Sequence, residues 1–170
     1  YKGNRDDAHK PVHGPAIREY MHSKWHTLVS EGEEADDLVA YSHYQMYLQD
    51  EMSSVLVSVD KDLDMIPGMH FNFVTEEQYF ITEEEGMYNF QKQLLTGDAT
   101  DNIPGVAGIG PAKAKAALAD EATRWESIKA LYVQGYGDDW YDALVENGRL
   151  LWMRREPNEW WLPPENINEL

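Results

Sequence analysis

Acidic side chains are concentrated in three short segments of the 170-residue sequence. Ten of the 31 acidic residues lie within positions 31–37, 60–64 and 98–101. Carboxylates gathered in this way repel one another unless a positive charge lies between them. The clustering therefore makes a divalent cation the leading candidate for a ligand of this chain.

The first segment, Gly32 to Asp37, has both a structural and a chemical interpretation. Carboxylates at the start of a helix are favoured by the helix dipole and cap free amides. Glu34 and Asp37 are three residues apart and share one face of a helix, whereas Asp36 points elsewhere on an ideal helix. Spacing alone therefore does not make a three-ligand site here.

The second segment follows the apolar run Val55–Val59, which we predict to be a buried parallel strand. Ligands of open α/β sheets bind beyond the carboxyl ends of strands, so Asp60 and Asp62 are well placed. A calcium loop is the alternative, but it requires glycine and glutamate where this sequence has Met65 and Phe71.

The third segment contains Asp98 and Asp101, which are three residues apart and either share one site or simply form an Asx-rich turn. A glycine-rich stretch follows directly and leads into a predicted helix that carries lysines. This is the layout of a helix-hairpin-helix motif, in which glycines let a phosphate approach the backbone and lysines add charge. A plain glycine-rich connector is the alternative. The residues concerned are Gly105, Gly108, Gly110, Lys113 and Lys115.

Composition limits the other possibilities. The net charge of −17 argues against a generally basic nucleic-acid surface, although five of the 14 basic residues lie in the first 24 positions. The absence of cysteine excludes disulfides and thiolate metal sites. Two histidine pairs, His9/His13 and His22/His26, lack the glutamate of the metalloprotease pattern. The chain has no apolar run long enough for a transmembrane helix.

Periodicity predicts the elements that must position these segments. Helices are expected over about 15–29, 34–51, 83–97, 112–119, 124–133 and 139–155. A hairpin is expected from 69–74 and 78–82, and the end of the chain is expected to be irregular. Thr82 and Glu85 have the spacing of a capping box at the start of the third helix. In the second helix the residues expected to face inward are Leu38, Tyr41, Tyr44 or Gln45, and Leu48. Strands that alternate with helices indicate an α/β core with a helical C-terminal part.

Taken in order, these motifs resemble the flap endonuclease and 5′-3′ exonuclease family, in particular bacteriophage exonucleases and the 5′-nuclease domain of bacterial DNA polymerases. The resemblance extends over residues 1 to about 118 and is loose beyond 120. The stretches that carry it are Tyr1 to Arg5, Glu34 to Asp37, Ser58 to Asp62 and Thr96 to Gly110.

The resemblance implies a role for each matching position. Lys2 and Arg5 match basic residues that reach the scissile phosphate, whereas Asp64 has no firm counterpart and is expected at the surface. The glycines from 105 to 110 match a hairpin that grips duplex DNA, with a K⁺ ion at the backbone carbonyls. The positions that match the acids of the metal site are Glu34, Asp36, Asp37, Asp60, Asp62, Asp98 and Asp101.

The resemblance also implies a fold and an activity. The expected fold is a truncated PIN-like 5′-nuclease core with a parallel sheet over residues 1–97, followed by a helical region with the helix-hairpin-helix (H3TH) motif over 98–170. The implied activity is DNA hydrolysis by two Mg²⁺ ions, with Mn²⁺ as a substitute. The expected substrate is a duplex with a 5′ end or flap, in the cytoplasm of a bacterial or phage-infected cell.

The family has further acids and most of its central sheet upstream of the Tyr-Lys motif. On this basis the sequence is expected to be the C-terminal portion of such an enzyme, nearly inactive alone and completed by an N-terminal fragment. A catalytically incompetent module that binds duplex or branched DNA is the alternative.

Overall fold

The computed structural model describes residues 11–170, so Lys2 and Arg5 lie outside the described residues. The helices are α1 (Gly14–Lys24), α2 (Ala35–Tyr47), α3 (Glu83–Thr96), α4 (Pro111–Ala117), α5 (Arg124–Tyr136) and α6 (Trp140–Leu151). The strands are β1 (Val55–Val57), β2 (Gly68–Asn72), β3 (Glu77–Ile81), β4 (Gly97–Asp98) and β5 (Ile103–Pro104). The chain is therefore mixed α/β with a helical C-terminal part, as predicted.

The larger sheet has the order β1-β2-β3 within the described residues. Strand β1 pairs parallel to β2, and β2 forms with β3 the antiparallel hairpin that the alternating pattern predicts. The prediction that the Val55–Val59 run is buried throughout is wrong. Leu56 is buried, whereas Val55 and Val57 are exposed, because β1 is packed on only one face.

Helix α3 connects the sheet to the C-terminal helices and confirms the predicted capping box. The hydroxyl of Thr82 accepts from the amide of Glu85, and the Glu85 carboxylate accepts from the amide of Thr82. This exchange satisfies amide donors at the first turn and fixes where the helix begins. The inner face of α3 then buries Phe90, Leu94 and Leu95 completely.

One core is shared by α3 and the helices that follow it. Phe90 lies in edge-to-face contact with Trp152 and Trp161, at ring-centroid distances of 4.8 and 5.2 Å. A second, smaller core under the sheet consists of Ala40, Leu56, Leu63 and Ile66. The main core consists of Met65, Phe90, Leu94, Leu95, Ile103, Val106, Ala114, Leu118, Ile128, Tyr132, Leu144, Leu151, Trp161 and Ile167.

The first two helices differ from their predicted form. Helix α1 ends at Lys24 and buries none of its residues, although its apolar residues have helical spacing. Helix α2 buries Ala40 and His43 rather than Leu38 and Tyr41, and the predicted inward residue Leu48 is 59% exposed. Among the described residues, α2 contacts both β1 and β2, and its buried residues Ala40 and His43 lie on the side that faces these strands. None of the helices within residues 11–170 has the length and apolar character needed to cross a membrane.

Candidate active site

All seven predicted acidic ligands line a single cleft of about 560 Å³. They come from three separate parts of the chain: the start of α2, the turn after β1 and the turn after α3. The cleft is also lined by Lys61, Gln93, Arg149, Arg154 and Trp160. The fold therefore brings together carboxylates that lie up to 67 positions apart, from Glu34 to Asp101.

The turn after β1 places two of these carboxylates. Asp60 caps a 3₁₀ turn, Lys61–Met65, because its Oδ1 accepts from the amide of Asp62 at 3.0 Å. Asp60 in turn is fixed by its own amide, which donates to the hydroxyl of Ser58 at 2.9 Å. The cap satisfies an amide at the start of the turn and points both carboxylates beyond the end of the strand.

Asp62 is half-buried and is held by Gln93 from helix α3. The amide Nε2 of Gln93 donates to Oδ1 of Asp62 at 2.5 Å, while Oε1 of Gln93 is buried without a hydrogen-bond partner. Burial is the main reason that the pKa of Asp62 is raised, and the neighbouring carboxylates of Asp60 and Asp98 raise it further. The closeness of these like charges thus disfavours the ionised form of Asp62.

Asp98 is the most buried carboxylate of the cleft, with a side chain only 4% exposed. Burial raises its pKa, but the backbone amides of Thr100 and Asp101 and the Lys61 ammonium outweigh this, so the pKa is lowered. The amide of Thr100 donates to Oδ1 of Asp98 at 2.7 Å, and that of Asp101 donates to the same atom at 3.4 Å. The Asx-turn and a shared acidic site are therefore both present in this segment.

The start of α2 carries a second ion-pair cluster. Arg154, from the segment after α6, lies with Nη1 3.5 Å from Oε2 of Glu33 and with Nε 3.5 Å from Oδ2 of Asp37. Its backbone amide also donates to Oδ1 of Asp37 at 3.3 Å. The pKa of Asp37 is nevertheless raised, mainly by burial. Arg154 lowers this pKa, whereas the neighbouring carboxylates of Glu34 and Glu33 raise it further. The C-terminal part of the chain thus supplies a cation to this acidic cluster.

The donor set suits a hard divalent cation, since such ions take oxygen ligands and carboxylates above all. Among the described residues, however, no three His, Asp or Glu side chains are arranged so that they could hold a metal ion in the present geometry. Asp98 is paired with Lys61 instead, and Asp37 is paired with Arg154. The ligand chemistry therefore fits a metal, and binding would require these ion pairs to open.

Asp64 was expected at the surface, and this expectation is wrong. Its Oδ1 accepts from the hydroxyl of Tyr79 at 2.8 Å and lies 3.7 Å from Nδ1 of the buried His70. Burial and the Asp64 hydrogen bond raise the pKa of Tyr79 to about 12. Asp64 faces β2 and β3 rather than the cleft, which explains why it joins a separate polar cluster.

The segment that follows Asp98 is folded back tightly on the end of α3. Strands β4 and β5 form a two-residue hairpin, with Gly97 opposite Pro104 and Asp98 opposite Ile103. A Cβ at Gly105 would collide with the backbone of Leu95, Thr96 and Gly97. Glycine is therefore required here by the chain itself, and the glycine-rich segment is physically joined to the turn that carries Asp98.

Gly108 and Gly110 are different, because a Cβ at either position would meet nothing within 4 Å. Gly108 has a φ of +76°, which favours glycine, whereas Gly110 has φ −93° and ψ −180°, which any residue adopts. The backbone at these two positions is open to an approaching group. Lys113 turns back toward it, with Nζ donating to the carbonyl of Gly108 at 2.9 Å.

Helices α5 and α6 hold the hairpin by side-chain donors. The hydroxyl of Tyr136 donates to the carbonyl of Gly105 at 2.8 Å, and Nδ2 of Asn147 donates to that of Pro104 at 2.7 Å. Asn147 also donates to the hydroxyl of Tyr132, which donates to the carbonyl of Leu94 at 2.7 Å. This network fixes the hairpin against the end of α3, so the acidic turn and the glycines form one unit.

Sequence reasoning missed further cleft residues, among them Lys61, Gln93, Arg149, Arg154 and Trp160. Lys61 lies between two predicted ligands, and Gln93 lies one helical turn before Gly97, so both had a local signal. Arg149, Arg154 and Trp160 lie in the region where the resemblance is loose, and nothing in their spacing pointed to the cleft.

Comparison with known proteins identifies relatives of this chain. The flap endonuclease Xni of Vibrio campbellii is 33% identical over 148 residues, which cover 78% of this chain and 54% of the relative. A 5′-3′ exonuclease of Buchnera aphidicola is 38% identical over 93 residues, covering 49% of this chain and 32% of the relative. The chain spans about half the length of the flap endonucleases it matches. No protein-family model matches the sequence.

Solved structures share the fold. The T5 flap endonuclease in a pseudo-enzyme-product complex with DNA and metal ions aligns with a TM-score of 0.64 at 21% identity, over 89% of this chain and 66% of that one. The same T5 protein crystallised with metal ions aligns with a TM-score of 0.65 at 23% identity over the same shares. At this level of identity the likeness concerns the fold, and it agrees with the resemblance found in the sequence.

Proposed function

The chain is a relative of the flap endonucleases and 5′-3′ exonucleases, and we propose that it carries the main part of a divalent-metal-dependent nuclease site that hydrolyses DNA near a 5′ end or flap. The observation that supports this most strongly is the cleft lined by acids from three separate segments. A structural role for each segment explains its own carboxylates but not their gathering around one cavity.

Seven carboxylates would hold the ions: Glu34, Asp36, Asp37, Asp60, Asp62, Asp98 and Asp101. Two bound Mg²⁺ ions, or Mn²⁺ in their place, would activate a water and offset the charge that develops on the phosphodiester. The chain's own part is to fix these oxygens. The cap on Asp60, the Gln93 amide on Asp62 and the two backbone amides on Asp98 each orient one of them.

Basic side chains complete the proposal. Lys2 and Arg5 are proposed to contact the scissile phosphate, on the strength of their match to the Tyr-Lys motif. Lys61 and Arg154 neutralise part of the acidic cluster in the absence of metal, so the cleft repels DNA less than its carboxylates alone would. The cleft nevertheless keeps an excess of carboxylates that repel the phosphates of DNA, so metal loading is expected to precede productive DNA binding.

The duplex is proposed to bind at Gly105, Gly108, Gly110, Lys113 and Lys115, where the backbone at 108 and 110 is open. A K⁺ ion at these carbonyls would have to share the Gly108 oxygen with Lys113. In this proposal residues 1–97 are the partial catalytic core, and 98–170 are the helical region that carries the duplex-binding motif and also contributes Asp98 and Asp101 to the cleft. The cellular location proposed is the cytoplasm of a bacterial or phage-infected cell.

A module that binds DNA without cutting it is the second candidate. The observation that favours it is that, among the described residues, no three carboxylates stand in metal-binding geometry. The two candidates differ in one measurable outcome, which is cleavage.

The substitution Asp60→Asn tests the nuclease proposal. Asparagine still accepts from the Asp62 amide, so the turn is kept while one ligand charge is lost. The assay supplies the N-terminal fragment that is proposed to complete the fold, and it measures Mg²⁺-dependent release of products from a 5′-labelled duplex and a 5′-flap substrate. We expect cleavage to fall by about 100-fold or more, as when a single charge-stabilising group is removed from an active site, with duplex binding changed less than about twofold.

Asp120→Asn is the matched control, because Asp120 caps another 3₁₀ turn by accepting from the amide of Ala122 at 3.1 Å, outside the cleft. Equal activity of the two variants would overturn the nuclease assignment. Metal-independent DNA binding without any cleavage, even with the N-terminal fragment supplied, would favour the second candidate.

A further inference from the structure

The cleft has an aromatic and basic part that the nuclease proposal does not use. Trp160 and Arg149 line the same cavity as the acids, and Trp160 is 70% exposed. An indole ring left this accessible inside a charged cleft gains little from burial. Its position is therefore informative about what enters the cleft.

The backbone holds Trp160 in this outward position. Residues 160–163 belong to neither a helix nor a strand, and their side chains alternate between exposed and buried. Trp161 is the buried neighbour: it packs on Gly148, where a Cβ would collide with its ring, and lies 5.2 Å from Phe90. Because Trp161 is anchored in the main core, Trp160 must point outward.

Arg149 fixes the ring further and supplies charge. Its Cζ lies 5.4 Å from the centroid of the Trp160 ring, and its Nε donates to the carbonyl of Trp161 at 3.4 Å. The guanidinium is exposed and close to the ring, as in a cation–π pair. An exposed guanidinium beside a fixed indole offers both a phosphate contact and a flat apolar surface.

We propose that Trp160 is a stacking platform for an unpaired nucleobase, with Arg149 contacting a phosphate of the same strand. The inference rests on the proposed function, since it names where the unpaired strand lies relative to the acidic cleft. Stacking on an aromatic side chain requires an exposed base face, which a duplex offers only at its end. A nucleic acid fits better than a protein partner, because the platform lies inside the cleft with cations rather than on an open apolar surface.

The platform is rigid before binding. Trp161 is buried and Arg149 is tied to its carbonyl, so the segment loses little further freedom when a base stacks. The platform is also indifferent to sequence, because every base presents a π-face. It would therefore select unpaired over paired DNA without selecting a base.

The test is a double-mutant cycle between the protein and the DNA. The protein is used as the wild type, as Trp160→Ala or as Trp160→Phe. The DNA is a fluorescent duplex in one of three forms: blunt, with a 5′ thymidine extension, or with an extension of the same length made of abasic sites. Dissociation constants are measured by anisotropy with Ca²⁺, and the label is checked for integrity. Phe73→Ala is the control, since Phe73 is 56% exposed but outside the cleft.

Trp160→Ala is expected to weaken binding of the thymidine extension by about 5- to 100-fold, the effect of one stacked base. It should leave the blunt duplex and the abasic extension changed less than about twofold. Trp160→Phe should retain most of the affinity, and Phe73→Ala should change none of the three constants. Because the Trp160 side chain is exposed, the melting temperatures of Trp160→Ala and Trp160→Phe should match that of the wild type.

An equal loss on thymidine and abasic extensions, or no loss on either, would overturn the platform. If the wild type cuts DNA but Trp160→Ala binds the extension normally, the nuclease proposal stands and the platform alone fails. If the wild type binds none of the three DNAs, both fail together.

Discussion

The ammonium of Lys61 lies 3.5 Å from Oδ2 of Asp98, although one residue follows β1 and the other follows α3. Lys61 is 71% exposed at its side chain and Asp98 only 4%. The lysine thus reaches from solvent into the cleft and neutralises its most buried carboxylate. A metal ion bound to Oδ2 of Asp98 would have to compete with this ammonium.

Replacement of Lys61 by methionine is expected to tighten divalent-cation binding, because a competing positive charge is removed from the site. Exposed ion pairs contribute up to about 1 kcal/mol, which corresponds to about a fivefold change in affinity. Calorimetric titration with Mg²⁺ and Mn²⁺ measures the dissociation constants of both proteins for these ions. Lys115→Met, outside the cleft, serves as the control. Weaker metal binding in Lys61→Met would mean that the lysine organises the carboxylates rather than competing for them.

Asp62→Asn is expected to stabilise the metal-free protein at neutral pH. Burial raises the pKa of Asp62 above its ordinary value of 3.8, so the ionised form is disfavoured in the folded state. The folded chain therefore gains stability as the pH falls through this raised pKa, and the gain is complete below 3.8. The advantage of Asp62→Asn, up to about 1 kcal/mol for such a half-exposed group, should vanish below that pH. Denaturant unfolding at several pH values measures the free energy of unfolding of both proteins. A difference that stays constant at all pH values would contradict a raised pKa of Asp62.

Two glycines of the same segment are expected to respond differently to alanine. Gly105→Ala should lower the free energy of unfolding by about 1–3 kcal/mol or more, because its Cβ meets backbone that cannot move aside. Gly110→Ala should change stability by less than about 0.5 kcal/mol, since its Cβ meets open space. It should nevertheless weaken duplex binding if DNA approaches the backbone there. Thermal unfolding and duplex titration of both variants decide this, and unaltered duplex affinity in Gly110→Ala would remove the hairpin from the interface.

The double variant Lys113→Ala with Lys115→Ala is expected to reduce the salt dependence of duplex binding by up to about two counterions. Lys113 must leave the Gly108 carbonyl to contact a phosphate, so its share should be the smaller one. Duplex affinity measured over a range of salt concentrations gives the slope. Lys129→Ala is the control, because the Lys129 ammonium is engaged by the carbonyl of Asn168 on the far end of the chain. An unchanged slope would place the DNA elsewhere.

Local sequence was sufficient for features that depend on neighbouring residues. The capping box at Thr82 and Glu85, the β2–β3 hairpin and the sharp turn at Asp98 each involve partners within a few positions. Their chemistry is fixed by residue type and spacing, which is why these predictions are confirmed. The order of the acidic segments along the chain likewise sufficed to indicate the family.

Tertiary structure alone decided which face of each element is covered and which cations meet the acids. Helix α2 buries His43 against the sheet but ends at Tyr47, so Leu48 lies beyond the helix and is exposed. Arg154 reaches Asp37 across 117 positions, and no local pattern encodes a contact of that span. Trp160 is exposed in the cleft only because Trp161 fills a place in the core beside Gly148. Such relationships depend on how distant surfaces pack, since burial is set by shape and not by the spacing of residues along one element.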